Sequence, residues 1–565
     1  MVLIKSHWKD AASRKFASVK AKIPVQWILD PSVIEKAKKQ SNLTGPFIEG
    51  LLSPIDKEIT TFDSIQLIAK IREKTLTAEQ VTGAFCKRAA IAHQLNNCLH
   101  EIFFEEALDR ARELDKHMEK TGCTSGPLHG LPISLKDQFH VKGVETTMGY
   151  VGWIGTYEGR KRTGKEMNTN SQMVDDLLSL GAILYCKTSL PQTLLVGETH
   201  NNIIGYTLNP VNQRLSCGGS SGGEAALQAL RGSTLGVGTD IGGSVRIPAA
   251  FCGTFSIKPS VLRFSYKDVA NSNPGQTMVP SAIGFMATAL SSLKLIMESI
   301  LSTEPWLRDP EVVPIPWRKE HELTVPHPKL CFAIIDTDNI VTPHPPVARG
   351  MKLVRKAIER AGHEVVSWEP PNHSIGTTIH GEILSSDGGA NIHDQLKLSG
   401  EPIIPEKYDD IGNKRKPPMP ILRYQDLALQ RKAYRAAYAT YWESTKHKTN
   451  TGRPVDAVIM PVAPHAAVLN MKYYYYGYTE IVNLLDYSSV CIPVTHADKT
   501  IDIFREDYRP LNPTDYKNWE AYDADQYDGA PVGVQIMGHT LQEERTLSIA
   551  QITYEALLNH ASSKL

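Results

Sequence analysis

The sequence predicts an α/β fold, a single large domain built on a mixed, mostly parallel β-sheet with helices covering both faces. Three observations predict it. Apolar runs of strand length recur at 182–186, 330–335, 456–460, 490–494 and 532–536 with little polar alternation, the pattern of strands buried on both faces. Helical segments separate these runs, so the strands are covered rather than solvated. The succession 330–335, a helix over 346–361 and 363–368 reads as a βαβ unit, which implies parallel neighbours.

Taken in order, residues 1–60 read as an N-terminal helical arm with scattered apolar and proline positions, and 61–555 as the main domain. Thr77-Ala78-Glu79-Gln80 is a capping box that opens a helix reaching about Ala92. After the turn at Gly126-Pro127, residues Leu131, Ile133 and Leu135 fall on one face of a strand and Pro132, Ser134 and Lys136 on the other. The stretch 171–180 is a helix stopped by Gly181. Residues 225–230 are good helix formers, and 234–237 has strand character. The polar stretch 157–170 and the Tyr/Asp-rich stretch 500–528 are expected as loops. Thr540-Leu541-Gln542-Glu543 reads as the capping box of a last long helix, with 556–565 as a C-terminal tail.

Composition excludes several function classes. The chain has 565 residues, with 61 basic and 61 acidic side chains, so its formal net charge is zero. That gives no electrostatic argument for a nucleic-acid partner or an anionic membrane surface. No apolar run approaches the roughly 18 residues of a transmembrane helix, and Met1 to Asp10 is too short an apolar patch for a signal peptide. The eight cysteines show no metal-ligand spacing and read as reduced thiols of an intracellular protein, Cys186, Cys331 and Cys491 lying in apolar strands. No metal and no cofactor is expected.

The chemistry concentrates between Ser216 and Ile257. Gly218-Gly219-Ser220-Ser221-Gly222-Gly223 and Gly242-Gly243-Ser244 flank a short apolar segment. Clustered glycines let consecutive N–H groups point at one anion, as an oxyanion hole requires, and a serine in such a turn is a candidate nucleophile. Gly/Ser runs are elsewhere linkers or phosphate loops. Here helix and strand patterns flank the clusters without a break, and Gly223 is followed by Glu224 rather than Lys. None of the 19 histidines stands in a recognisable motif with an acidic partner, which leaves lysine as the alternative base. Lys136, ending an apolar strand, is either a solubilising edge charge or, if buried, a base with a lowered pKa.

The Leu131-Pro132-Ile133-Ser134-Leu135-Lys136-Asp137 strand, the Gly218 to Glu224 loop and Gly238-Thr239-Asp240-Ile241-Gly242-Gly243-Ser244-Val245-Arg246-Ile247-Pro248 resemble the amidase signature family of serine hydrolases. The likeness is greatest to the fungal general amidases and acetamidases, through Ala84 to Ala92, Val482 to Asp486, Gly529 to Gln535 and Glu543 to Leu547, and it covers roughly residues 60 to 555. It implies a Ser-Ser-Lys triad: Ser244 as nucleophile, Ser220 as a bridging serine after a cis Gly219–Ser220 peptide, and Lys136 as base and then acid. It further implies an oxyanion hole from the N–H groups of Ile241, Gly242, Gly243 and Ser244, with Asp240 and Arg246 bracing the loop. Leu194, Gly219 and Ser220 are expected at the substrate, and Met148 and Tyr150 at its border.

Small primary amides such as acetamide are the expected substrates, with carbamates such as ethyl carbamate chemically adjacent. A lipid- or aryl-amide hydrolase is the alternative enzyme. A catalytically silent binding protein on the same fold is the alternative of another class, and the intact Lys136, Ser220 and Ser244 speak against it. The terminal Ser563-Lys564-Leu565 matches the address read by the peroxisomal import receptor, so the expected location is peroxisomal, or cytoplasmic if the signal is unused. A homodimer is left open.

Overall fold

The computed structural model describes residues 4–324 and 328–562. Its strands are, in chain order, β1 (Leu99–Ile102), β2 (Pro132–Lys136), β3 (Ile183–Thr188), β4 (His200–Asn201), β5 (Gly205–Tyr206), β6 (Leu235–Asp240), β7 (Phe255–Lys258), β8 (Ala282–Ala287), β9 (Cys331–Ile334), β10 (Glu364–Ser367), β11 (Ala457–Pro461), β12 (Ser489–His496) and β13 (Pro531–Met537). Strands β4 and β5 form a small hairpin; the other eleven make one sheet in the order β1-β3-β2-β6-β8-β7-β12-β13-β11-β9-β10. Every residue of β2, β3, β6 and β8 is buried, and these segments are mainly apolar or small, with Lys136, Lys187 and Asp240 as charged exceptions.

The sheet is mixed, and its parallel pairs lie in two blocks. One is β3-β2-β6 and the other β11-β9-β10. The second contains the expected βαβ unit, with β9 and β10 in register Cys331↔Glu364 and the helix Pro345–Arg360 between them in sequence. The middle of the sheet is antiparallel. The connection 259–281 contains no α-helix, and β8 returns between β6 and β7, running against both.

Local signals account for most helix boundaries. Thr77 Oγ1 accepts from the Gln80 N–H (3.1 Å) and Gln80 Oε1 from the Thr77 N–H (2.9 Å), so the capping box forms. The helix runs past Ala92 to Asn96 and closes on Asn97 in the left-handed conformation (φ 56°). The stretch 500–528, expected as loop, contains the helices Pro513–Glu520 and Ala524–Tyr527. Asn512 caps the first, accepting from the N–H groups of Thr514 and Asp515, with Pro513 in its first turn. Thr540 does not cap the last helix: its Oγ1 donates to the Asp486 carbonyl (2.8 Å), and the helix spans Glu543–Ser562. Helical structure therefore continues through 556–562, where Ala556 and His560 are buried. The terminal Ser563-Lys564-Leu565 lies outside the described residues.

The first sixty residues carry the helices Ile4–Ala21, Pro31–Lys38, Pro46–Glu49 and Pro54–Thr61. Lys15, on the first of them, is buried and ion-paired with Glu101 of β1 and with Glu145 (2.5 Å). All eight cysteines are free thiols, and only Cys123 is exposed.

Candidate active site

Lys136 ends β2 at the centre of a parallel block, and its side chain is fully buried. Its Nζ donates to Ser220 Oγ at 2.8 Å and to Thr239 Oγ1 at 3.1 Å. Thr239 in turn donates to Gln138 Oε1 (2.7 Å), which fixes its lone pair toward the lysine. Burial pulls the Lys136 pKa down to about 7, against the opposing pull of Asp240 and Glu224. The edge-charge alternative is thereby excluded by position. Glu224 opens the helix Gly222–Ala229 and accepts from Ser134 Oγ and from Thr188 Oγ1 (2.9 Å). Burial pushes its carboxyl up to about 7.

Ser220 lies in the loop before that helix, behind a cis Gly219–Ser220 peptide. The two serine loops lie side by side: the Ser221 N–H donates to the Ser244 carbonyl at 3.0 Å. Their glycines are set by close approach. A Cβ on Gly223 would stand 2.4 Å from the Ser189 backbone nitrogen. Gly243 has φ +126°, and a Cβ there would meet Thr479 Oγ1 at 2.5 Å. Ser244 is 8 % exposed and Ser220 1 %, so both are withdrawn from bulk water.

The loop between β6 and Ser244 presents the four amides named from the sequence, and they are not equivalent. The Gly243 N–H donates to Asp240 Oδ1 at 2.9 Å. No acceptor among the described residues engages the N–H of Ile241, Gly242 or Ser244. Asp240 and Arg246 do brace the loop. Arg246 donates through Nη2 to Asp240 Oδ1 (2.9 Å) and through Nε to Oδ2 (3.1 Å). It also reaches Gln535 Oε1 (2.7 Å) and Asn483 Oδ1 (2.6 Å), and Asn483 donates back to Asp240 (2.9 Å). Burial alone would raise the Asp240 carboxyl, but the Arg246 charge and these hydrogen bonds hold it well below the usual range.

A cavity of about 530 Å³ opens against Ile241 and is lined also by Leu195, Tyr266, Ser272, Gln276 and Leu384. Tyr266 accepts from Gln138 Nε2 (2.9 Å), which completes a hydrogen-bonded chain from the cavity wall through Gln138 and Thr239 to Lys136. Met148, Tyr150 and Leu194 form an apolar cluster with Trp153, Leu190 and Ala270. They are not among the residues that line the cavity, while Leu195, the neighbour of Leu194, is. Three of the tyrosines between 473 and 478 are tied to the protein by their hydroxyls. Tyr476 accepts from the Gly197 N–H (2.8 Å), Tyr475 donates to Asp338 (2.6 Å) and Tyr478 to the Val341 carbonyl (2.7 Å). Sequence reasoning missed Thr239 as a partner of the lysine and Gln138 as the partner of Thr239, and Thr479 and His380 as partners of the amide loop. Asn483 and Gln535 fall inside segments that carried the family likeness, but nothing local marked them as ligands of Asp240 and Arg246.

A family model described as Amidase matches residues 80–547. An acetamidase of Aspergillus oryzae is 43 % identical over 98 % of this chain and 99 % of its own length. An acetamidase of Emericella nidulans is 42 % identical over 96 % and 97 %. Among solved structures, a fatty acid amide hydrolase superposes with a TM-score of 0.90 at 31 % identity, covering 98 % of this chain and 96 % of that one. The chain belongs to the amidase family, and it is an amidase, a hydrolase of carbon–nitrogen bonds other than peptide bonds.

Proposed function

We propose that the enzyme hydrolyses small aliphatic primary amides to carboxylic acid and ammonia through an acyl-enzyme on Ser244. The observation that carries this reading is the 2.8 Å contact of a fully buried Lys136 with Ser220, beside the Ser244 loop. Neutral Lys136 takes the Ser220 proton while Ser220 takes that of Ser244, and Ser244 Oγ attacks the amide carbonyl. The oxyanion of the tetrahedral intermediate is met by the free N–H groups of Ile241, Gly242 and Ser244, each such donor being typically worth about 3–4 kcal/mol. The proton returns along Lys136 and Ser220 to the departing nitrogen, the C–N bond breaks, and ammonia leaves. Water then attacks the ester by the same relay and releases the acid. Asp240 and Arg246 act through the loop they hold.

The acetamidase relatives support a short acyl group. The cavity beside Ile241 has room for acyl groups longer than acetyl, and a carbamate presents the same carbonyl with an alkoxy substituent, so ethyl carbamate belongs to the proposed range. The experiment is ammonia release from aliphatic amides of increasing chain length and from ethyl carbamate, with Ser244→Ala as control. Highest kcat/KM on two- to four-carbon amides, abolished in Ser244→Ala, is the expected result. Silence on these with turnover of long-chain or aryl amides moves the substrate class to the lipid- or aryl-amide alternative, which the fatty acid amide hydrolase likeness favours. Undiminished rates in Ser244→Ala remove the nucleophile. The Ser563-Lys564-Leu565 ending supports peroxisomal delivery, a reading that deletion of those three residues tests by relocating a fluorescent fusion.

A further inference from the structure

Two peptide planes of the loop after β6 are held in different ways. The Gly242–Gly243 peptide is fixed at both ends, its carbonyl accepting from Thr479 Oγ1 (2.6 Å) and its N–H donating to Asp240 Oδ1 (2.9 Å). The Ile241–Gly242 peptide is held at its carbonyl, by His380 Nε2 at 2.9 Å, and its N–H is free. Carbonyl and N–H point in opposite directions across one rigid trans peptide plane. What fixes the Ile241 carbonyl therefore aims the Gly242 N–H.

His380 lies on the helix His373–Leu384 and is fully buried. Its Cε1 stands 3.7 Å from where a Gly242 Cβ would be, so the ring lies flush against the loop. Its other nitrogen, Nδ1, faces Glu480 Oε1 at 3.5 Å. Nε2 is hydrogen-bonded to its acceptor, whereas Nδ1 has no hydrogen-bond partner among the described residues and lies at ion-pair distance from the carboxylate. A neutral imidazole has one N–H and would turn a lone pair on the carbonyl or the carboxylate; the imidazolium has two. The charged groups around it are Glu480 on the helix Gly477–Leu485 and Asp240 at the end of β6, the latter paired with Arg246. On the helix Ile421–Ser444, packed against the same element, Arg423 is taken up by Glu382 (2.8 Å).

We propose that His380, as an imidazolium clamped between Glu480 and the Ile241 carbonyl, is a positioning residue that aims the Gly242 N–H at the developing oxyanion and sets a positive charge beside it. The inference rests on the amidase reading of the Ser244 loop. Burial works against the charged ring, but Glu480, the Ile241 carbonyl and Asp240 outweigh it and raise the pKa above the ordinary histidine value. The rate therefore falls as pH rises through the His380 pKa, on the side opposite to the limb set by Lys136.

The test is kcat and KM for ammonia release between pH 5.5 and 10 in the wild type, Glu480→Gln, His380→Ala and His380→Gln. Glu480→Gln removes the counter-charge, and the alkaline limb is expected to move about one pH unit toward acid. His380→Ala is expected to lower kcat about 10- to 100-fold with KM within about threefold, because the lost alignment acts in the transition state. His380→Gln keeps a donor for the carbonyl but no charge, and is expected to regain part of kcat without the alkaline limb. An alkaline limb that stays in place in Glu480→Gln, or a kcat in folded His380→Ala within about threefold of wild type, overturns the proposal. Thermal unfolding monitors folding; should His380→Ala not fold, the limb shift in Glu480→Gln decides alone. A wild type inactive on every amide defeats the amide-hydrolysis reading instead, and an active wild type with unmoved variants defeats only the role of His380.

Discussion

Lys136 is a surface-type residue by composition and a buried amine of lowered pKa by location. Its amine sits in a fully buried position against two hydroxyls, and burial brings its pKa from the usual lysine range to about 7. The sign for catalysis follows. Below that value the ammonium has no lone pair for the Ser220 proton, and above it the free amine does, so the rate is expected to rise with pH through about 7. Lys136, Ser220 and Ser244 were legible through the likeness to the amidase signature family, whose contiguous motifs contain all three. Thr239 as a partner of the lysine, and Gln138 as the acceptor that orients Thr239, were not legible, although Thr239 lies in the same motif, because a hydroxyl in a strand and an amide near a strand end have no signature until the sheet pairs β2 with β6. His380 escaped for a similar reason: it is more than a hundred residues from the loop that it touches.

The helix Gly477–Leu485 does for the Ser244 loop what β3 and β6 do for Lys136. Thr479, Glu480 and Asn483 reach respectively the Gly242 carbonyl, His380 and Asp240 from successive turns. Arg246 joins that helix to the sheet through Gln535 of β13. Replacing Arg246 by Met leaves the Asp240 carboxylate buried without its cation, at a cost of about 3–5 kcal/mol. In the wild type the depressed carboxyl contributes stability above the unfolded carboxylate pKa, and this is lost as pH falls through the folded value. In Arg246→Met burial dominates and raises the carboxyl, so that protein gains stability on acidification. The Tm gap between the two is therefore expected to narrow as pH falls from 7 toward 4.5. A gap independent of pH would remove the Asp240 assignment. At this scale β2, β3, β6, β9 to β13 and the βαβ unit could be read from the sequence, most of them as apolar runs, whereas β1, β7, β8 and the β4–β5 hairpin were not read. The return of β8 between β6 and β7 could not be read, because a connection without a helix carries no directional pattern.

Over the whole molecule, one buried ionic cluster connects the N-terminal helix to the strand that bears Lys136. Lys15 pairs with Glu101 and Glu145; the Glu145 carbonyl accepts from Lys187 Nζ (2.7 Å); and Lys187 pairs with Asp137 (2.9 Å), the residue after Lys136. Asp137 in turn holds the Met148 turn by accepting from its N–H at 2.8 Å. The first helix is thus fastened into the catalytic half of the sheet. Lys15→Met keeps the aliphatic stem and strands Glu101 in the interior, with Lys22 (3.6 Å) as its remaining ion-pair partner among the described residues. The expected result is a loss of about 3 kcal/mol in denaturant unfolding, and a loss under about 0.5 kcal/mol would show that the arm is not energetically coupled to the sheet. Nothing local in the arm announced this contact, since a lysine on an amphipathic helix reads as a solvated charge until β1 supplies the carboxylate.

The most direct test of the account is kcat/KM for ammonia release from a primary aliphatic amide across pH 5 to 8.5, in the wild type and in Lys136→Ala. The account predicts an acid limb with an apparent pKa near 7 in the wild type, and a loss of at least about a hundredfold in Lys136→Ala with the limb gone. A wild-type profile flat across that range, or a Lys136→Ala enzyme that keeps the wild-type rate and limb, would contradict it.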